Sequence, residues 1–129
     1  MATFPFELVS PEKIIFSGAA EAVVLPAEEG EMTVFAGHVP LVAAMKTGLL
    51  TITDDKNQKV PMLVFGGFLD VGPANVVVMT ERAYSKEQWT PELLAQEIQA
   101  ATAARDAAAD FDRRVVAEEN LAFLRQFKI

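Results

Sequence analysis

The sequence predicts a mainly β plus α chain: a β-sandwich or small barrel over residues 1–84, then an antiparallel helical hairpin over residues 85–129. Three observations carry this. From Phe4 to about Thr80, short apolar or alternating runs are broken by turn residues, and their β-branched and aromatic content suits strands. The gaps between runs are too short for crossover helices, so neighbours should pair mostly antiparallel. After Ala83 the apolar spacing changes from every second residue to every third and fourth, the period of a helix.

The runs, in order, are FPFELVS, KIIFSG, EAVVLP, EMTVF, PLVAAM, GLLTIT, KVPMLVF, GFLDV and NVVVMT. Within them Phe4, Phe6 and Leu8 share one face, as do Leu50 and Ile52. TDDKNQ, residues 53–58, reads as a hairpin tip, because Asp and Asn tolerate turn geometry and bond their own backbone. Pro61 lacks a ladder donor and places its strand at an edge or a bulge. Ser85 with Gln88 suits one short capped turn. Thr90-Pro91 then supplies an N-cap with proline at the first helical position, and Glu92 sits near the positive end of the dipole. Leu94, Ile98 and Ala101 line one face of that alanine-rich helix. Asp110 or Asp112 begins a second, short helix with Ala117, Leu121 and Leu124 in one line and Val116, Phe123 and Phe127 beside it. A hairpin of this size lined by alanine has little core of its own and needs a surface to lie against.

A hydrophobic fraction of 51% argues for a folded chain. Eighteen acidic residues against eleven Lys plus Arg leave a net charge of −7, which opposes phosphate backbones and makes nucleic acid a poor partner. The absence of cysteine removes disulfides, thiolate metal ligands and thiol nucleophiles. The N-terminal MATFPFELVSPEK has no basic region followed by an apolar run, and no stretch approaches the length of a membrane span.

Catalytic patterns are missing where they would be needed. His38 is the single histidine and stands in GH without a nucleophile elbow, so it reads as a loop or interface group rather than a base or metal ligand. Glu28, Glu29 and Glu31 do not form an oxygen-rich loop of calcium type and read as a solvated acidic turn. FGGFLDVG, residues 65–72, lacks both phosphate-binding spacings and leads into no helix, which leaves a tight turn or a close strand contact. The residues therefore point to no catalytic site, cofactor or metal. Phe123 and Phe127, beside Arg125 and Lys128 in the terminal helix, divide between core and contact duty. A small metal-dependent hydrolase and a free-standing ligand-binding β domain are the rival readings.

The order of FSG (16–18), VLPAEEGEMTVFAGHVPLVAAMKTG (24–48), FGGFLDVGPANVVVMTERA (65–83) and a helical hairpin resembles the epsilon subunit of F-type ATP synthase, nearly end to end. The resemblance implies a ten-stranded β-sandwich with a C-terminal antiparallel helical hairpin, in a noncatalytic central-stalk subunit that couples the gamma rotor to the c ring. Glu31 and His38 match the polar loop positions that approach the c ring. The resemblance gives the hairpin a possible regulatory role, extending toward the alpha and beta subunits to inhibit ATP hydrolysis, with Arg113, Arg114, Phe123, Arg125, Phe127 and Lys128 as its contacts. It also implies peripheral attachment, through the complex, to the cytoplasmic side of a bacterial inner membrane. Two departures stand out. Thr33 replaces a glycine common in the Gly-Glu-x-Gly pattern, and LLAQEIQAA at 93–101 lacks the aspartate and arginine of the nucleotide-sensing motif.

Overall fold

The computed structural model describes residues 2–128, which divide into two compact units on either side of a boundary between Lys86 and Glu87. The first contains nine strands among the described residues: β1 Phe4–Val9, β2 Ile14–Ala27, β3 Gly30–Phe35, β4 Leu41–Met45, β5 Gly48–Asp54, β6 Lys59–Val64, β7 Gly67–Val71, β8 Val76–Met79 and β9 Ala83–Ser85. The second contains α1, Pro91–Asp106, and α2, Phe111–Gln126. A short 3-10 turn, Lys86–Gln88, lies where the units meet in sequence.

The sandwich is organised around β2. Its first half pairs antiparallel with β1, from Phe4 opposite Ala20 to Val9 opposite Ile14, while its second half lies between β3 and β5. β1 continues to β8, β7 and β4, and β5 continues to β6 and β9. A single bridge from Ala27 to Met45 returns β4 to β2. Side chains alternating along these strands meet in one core, where Phe6, Leu8, Val23, Leu25, Val34, Leu50, Ile52, Leu69 and Val78 are essentially inaccessible. Burying one such leucine or isoleucine contributes about 1.5–3 kcal/mol before entropy is deducted. The expected shared faces of Phe4, Phe6 and Leu8, and of Leu50 and Ile52, are all core faces.

The structure refines the sequence expectations at three points. KIIFSG and EAVVLP are not two strands but the 14-residue β2, which carries a register shift between Ala20 and Ala22. The small side chains of Gly18, Ala19 and Ala20 let the backbone turn through that irregularity without a break. Counted as two halves, β2 would bring the nine strands to the expected ten. Second, pairing is mostly antiparallel as expected, with β1 and β8 the exception: they run parallel, Phe6 opposite Val76 through Val9 opposite Met79, and strands so far apart in sequence need no hairpin between them. Third, β9 was not among the runs; its three residues lie against Met62–Val64 of β6. Pro61 is positioned as its chemistry requires, one residue short of the Met62–Val64 stretch that pairs with β9, where its recorded partner is Thr51 of β5.

The 53–58 tip closes as expected. Asp54 Oδ1 accepts from the Lys56 and Gln58 amides at 2.9 and 2.8 Å, and Asn57 takes the left-handed φ of 60°. In FGGFLDVG, Gly67 has φ of 125°, and a Cβ there would strike the Met79 carbonyl oxygen, so this glycine marks a close strand contact.

The helical unit follows its caps. Thr90 Oγ1 accepts from the Leu93 amide at 3.0 Å and Pro91 occupies the first turn; Asp110 Oδ1 accepts from the Arg113 amide at 2.8 Å and opens α2. Asp110, not Asp112, is therefore the cap of the second helix. That helix is not short: both run 16 residues. Ala117, Leu121 and Leu124 of α2 are buried in the predicted line, and α1 buries Ala101 together with Glu97.

Candidate functional site

No group of three His, Asp or Glu among the described residues is placed to hold a metal, and no described helix is long and apolar enough to cross a membrane. What the molecule offers instead is surface. On the outward side of the β1-β8-β7-β4 layer, register places Val9, Met79, Phe68 and Ala44 in one row, and Glu7, Val77, Asp70 and Val42 in the next. These residues alternate with the buried ones and so face away from the core. Val42 is 72% exposed, Phe68 55% and Met79 46%, an apolar patch spread over the two rows, with the carboxylates of Glu7 and Asp70 in the second. Large exposed apolar side chains gathered on one sheet face mark an interaction surface more than singly scattered ones do.

A second feature lies beside the tip of the β2–β3 hairpin. An open groove of about 570 Å³ is lined by residues 27–32 and by Leu41, Val42, Ala43 and Ala44. Glu28, Glu29 and Glu31 stand on it, exposed, with Gly30 at φ 137° turning the chain between them. Glu31 lies opposite Pro26 in the β2–β3 register. Thr33, the departure from glycine, sits opposite Val24 with no register shift, so the strand passes through it regularly.

His38 occupies a turn of its own. Its amide donates to the Phe35 carbonyl at 3.2 Å across Gly37, whose φ of 80° favours glycine. Its ring Nδ1 lies 2.9 Å from the Val39 carbonyl oxygen. A carbonyl can only accept, so Nδ1 is the donor in this bond and Nε2 is the ring nitrogen left for another partner. The structure does not bring Glu31 and His38 together. Glu31 is near the start of β3 and His38 lies beyond its end, with about 13 Å of strand from Glu31 to Phe35 alone. They stand at two separate positions, not in one polar spot.

In the helical unit the sequence-predicted residues also separate into groups. Arg114 Nε bonds Glu118 Oε1 at 3.0 Å, one turn along α2, and Arg113 Nε approaches Asp110 at 3.6 Å, both on exposed side chains. Arg125 and Lys128 are exposed near the end of the chain. Phe123 and Phe127 are half-buried and stack with ring centroids 5.6 Å apart, while Trp89 meets Phe127 edge-on at 5.1 Å. Trp89 was not among the expected site residues. Its place just before an N-cap marks a helix entry, but its contact with Phe127 at the end of the other helix has no local signal.

Residues 3–86 match the family model described as the ATP synthase Delta/Epsilon chain, beta-sandwich domain, which defines the class of the first unit. Two relatives are named ATP synthase epsilon chain. That of Chelativorans sp. (strain BNC1) is 38% identical over 122 residues, 95% of this chain and 90% of the relative. That of Rhodopseudomonas palustris (strain BisB18) is 44% identical over 98 residues, 76% of this chain and 72% of the relative. The chain belongs to the ATP synthase epsilon chain family. A chain in the cryo-EM structure of the Euglena gracilis mitochondrial ATP synthase, OSCP/F1/c-ring in rotational state 1, aligns with TM-score 0.74 and 26% identity over 97% of this chain and 79% of that one. A chain of the Tetrahymena thermophila mitochondrial ATP synthase central stalk and c-ring shares the fold, with TM-score 0.66 and 13% identity over 97% and 96%.

Proposed function

We propose that the sandwich unit is a noncatalytic joint of the central stalk, held by the gamma subunit and seated on the c ring, so that rotation driven by protons reaches ATP synthesis through it. The observation that carries this reading is the exposed apolar face of β1, β8, β7 and β4, with Phe68 at its middle. A joint that transmits torque needs a broad, rigid contact, and a sheet face held in register from beneath by Leu69, Val71 and Val78 supplies one. This face would take gamma. Glu31 and His38 would make two polar contacts with the c ring, adding register more than affinity. The helical unit would be a regulatory arm able to reach the alpha and beta subunits, presenting Arg113, Arg114, Phe123, Arg125, Phe127 and Lys128. Placed in the F1 sector, the chain would lie at the cytoplasmic side of a bacterial inner membrane without entering it.

The test is coelution with gamma on size exclusion. Phe68→Asp puts a charge at the centre of the apolar face and should abolish coelution while the thermal melt stays within about 0.5 kcal/mol of the parent, since the side chain is exposed. Parent and variant binding gamma equally would remove the face from the interface. Truncation after Lys86, at the unit boundary and past the last residue of β9, should leave coelution intact and raise ATP hydrolysis by the assembled F1 sector. Unchanged hydrolysis would remove inhibition from the arm's roles.

A further inference from the structure

Phe65, Arg82 and Tyr84 have no place on the surfaces above, yet they are tied together closely just before the chain leaves the sandwich. The Phe65 amide donates to both Thr80 Oγ1 and the Arg82 carbonyl, each at 3.2 Å, and the Thr80 hydroxyl donates to the same carbonyl at 3.2 Å. The Arg82 guanidinium lies 4.1 Å from the centroid of the Phe65 ring, and the Tyr84 ring meets that ring edge-on at 5.9 Å. Thr80 is a fixed post: it is buried, its amide donates to the Val9 carbonyl at 2.9 Å, and Gly67 is pressed against the preceding Met79. Beyond it the hold changes character. β9 has three residues, all only half-buried, paired to β6 over Met62–Val64.

We propose that residues 81–85 are a strap locked by Phe65, which opens as one piece while the rest of the sandwich stays folded, and so sets the length of the tether to the helical unit. With the strap closed, residues 86–89 alone join β9 to the Thr90 cap and span at most about 14 Å; with it open, residues 81–89 span about 30 Å. The importance of that reach rests on the reading of the helical unit as a mobile arm. The opening itself does not.

Amide hydrogen exchange on the full chain tests it, in the parent, in Phe65→Leu, and in a variant carrying Met62→Cys with Ser85→Cys. Those two positions face each other across the β6–β9 register, at a spacing that antiparallel strands share with disulfides, and the chain has no other cysteine. In the parent, amides 83–85 should exchange at least about tenfold faster than those of Val23–Leu25 and Leu50–Ile52. Phe65→Leu should add roughly another tenfold at the strap and leave β2 and β5 unchanged, and oxidising the engineered disulfide should slow the strap alone. The proposal is overturned if strap, β2 and β5 exchange together in the parent, or if the oxidised and reduced forms of the disulfide variant exchange alike at 83–85. None of these measurements involves gamma or ATP hydrolysis, so failure of the arm reading, judged by truncation, stays distinct from failure of the strap.

Discussion

The two units of this chain are stabilised by different kinds of information. In the sandwich, every strand but β3, which pairs with its hairpin neighbour β2, is held by register with a segment far away in sequence, and the core runs from Phe4 to Val78. In the helical unit, each helix is opened by a cap three residues from its partner amide, and two of the four buried apolar residues are alanines: Ala101 and Ala117, with Leu121 and Leu124. Alanine offers helix propensity and close approach but little area to remove from water. A unit built by packing resists change, and a unit built by local propensity with a thin core is free to be rearranged at small cost. That contrast suits a fixed joint carrying a movable appendage.

Gly67→Val should have the largest effect. Its φ of 125° excludes a β-branched side chain, and the new Cβ would collide with the backbone of Met79 and Thr80, so a loss on the order of 4 kcal/mol or more is expected in the thermal melt. Gly37→Ala is the control. Its φ of 80° is equally left-handed, but nothing lies within 4 Å of the added carbon, and only about 1–2 kcal/mol should be lost. Comparable losses at both sites would mean that strain, not the strand contact, governs Gly67.

Next in size is a matched pair of truncations, one in each unit. Leu25→Ala in the sandwich core should cost about 2–5 kcal/mol and lower the cooperative transition. Leu121→Ala on α2 should fall at the low end of the same range and be read mainly as lost helical circular dichroism, with the sandwich transition unmoved. One shared transition shifted alike by both would break the division drawn here.

The smallest effects are expected at the polar contacts. Glu31→Ala and His38→Ala should leave the melt within about 0.5 kcal/mol, yet each should loosen rotor association by about 0.5–2 kcal/mol. Because Glu31 lies near the start of β3 and His38 beyond its end, their losses should add in the double variant. A lower melt without an association defect would make either residue structural.

The fold was legible wherever a local pattern decided it. Phe4, Phe6 and Leu8 alternate and are buried; Thr90-Pro91 and Asp110 cap the helices they announced; the 53–58 tip closes through Asp54 and Asn57. Legibility failed where partners decided. β9 is too short to show a period, and it exists because β6 had an edge to cover. The union of two runs into β2 depends on neighbours on both sides of a register shift. At the candidate surfaces, Val42, Phe68 and Met79 could be read as apolar but not as outward-facing, since a strand buried on both faces and one exposed on one differ only in what covers them.

The sequence by itself determined the periods, the caps, the turns and the family resemblance, because each is settled by residues within a few positions of one another or by motifs in a fixed order. Only the tertiary structure decided that β1 lies parallel to β8, that Glu31 and His38 stand apart, that Trp89 meets Phe127, and that Phe65 gathers Thr80, Arg82 and Tyr84. Those are choices among distant partners, made when the chain pairs its strand edges and fills one core at once, and no local spacing records them.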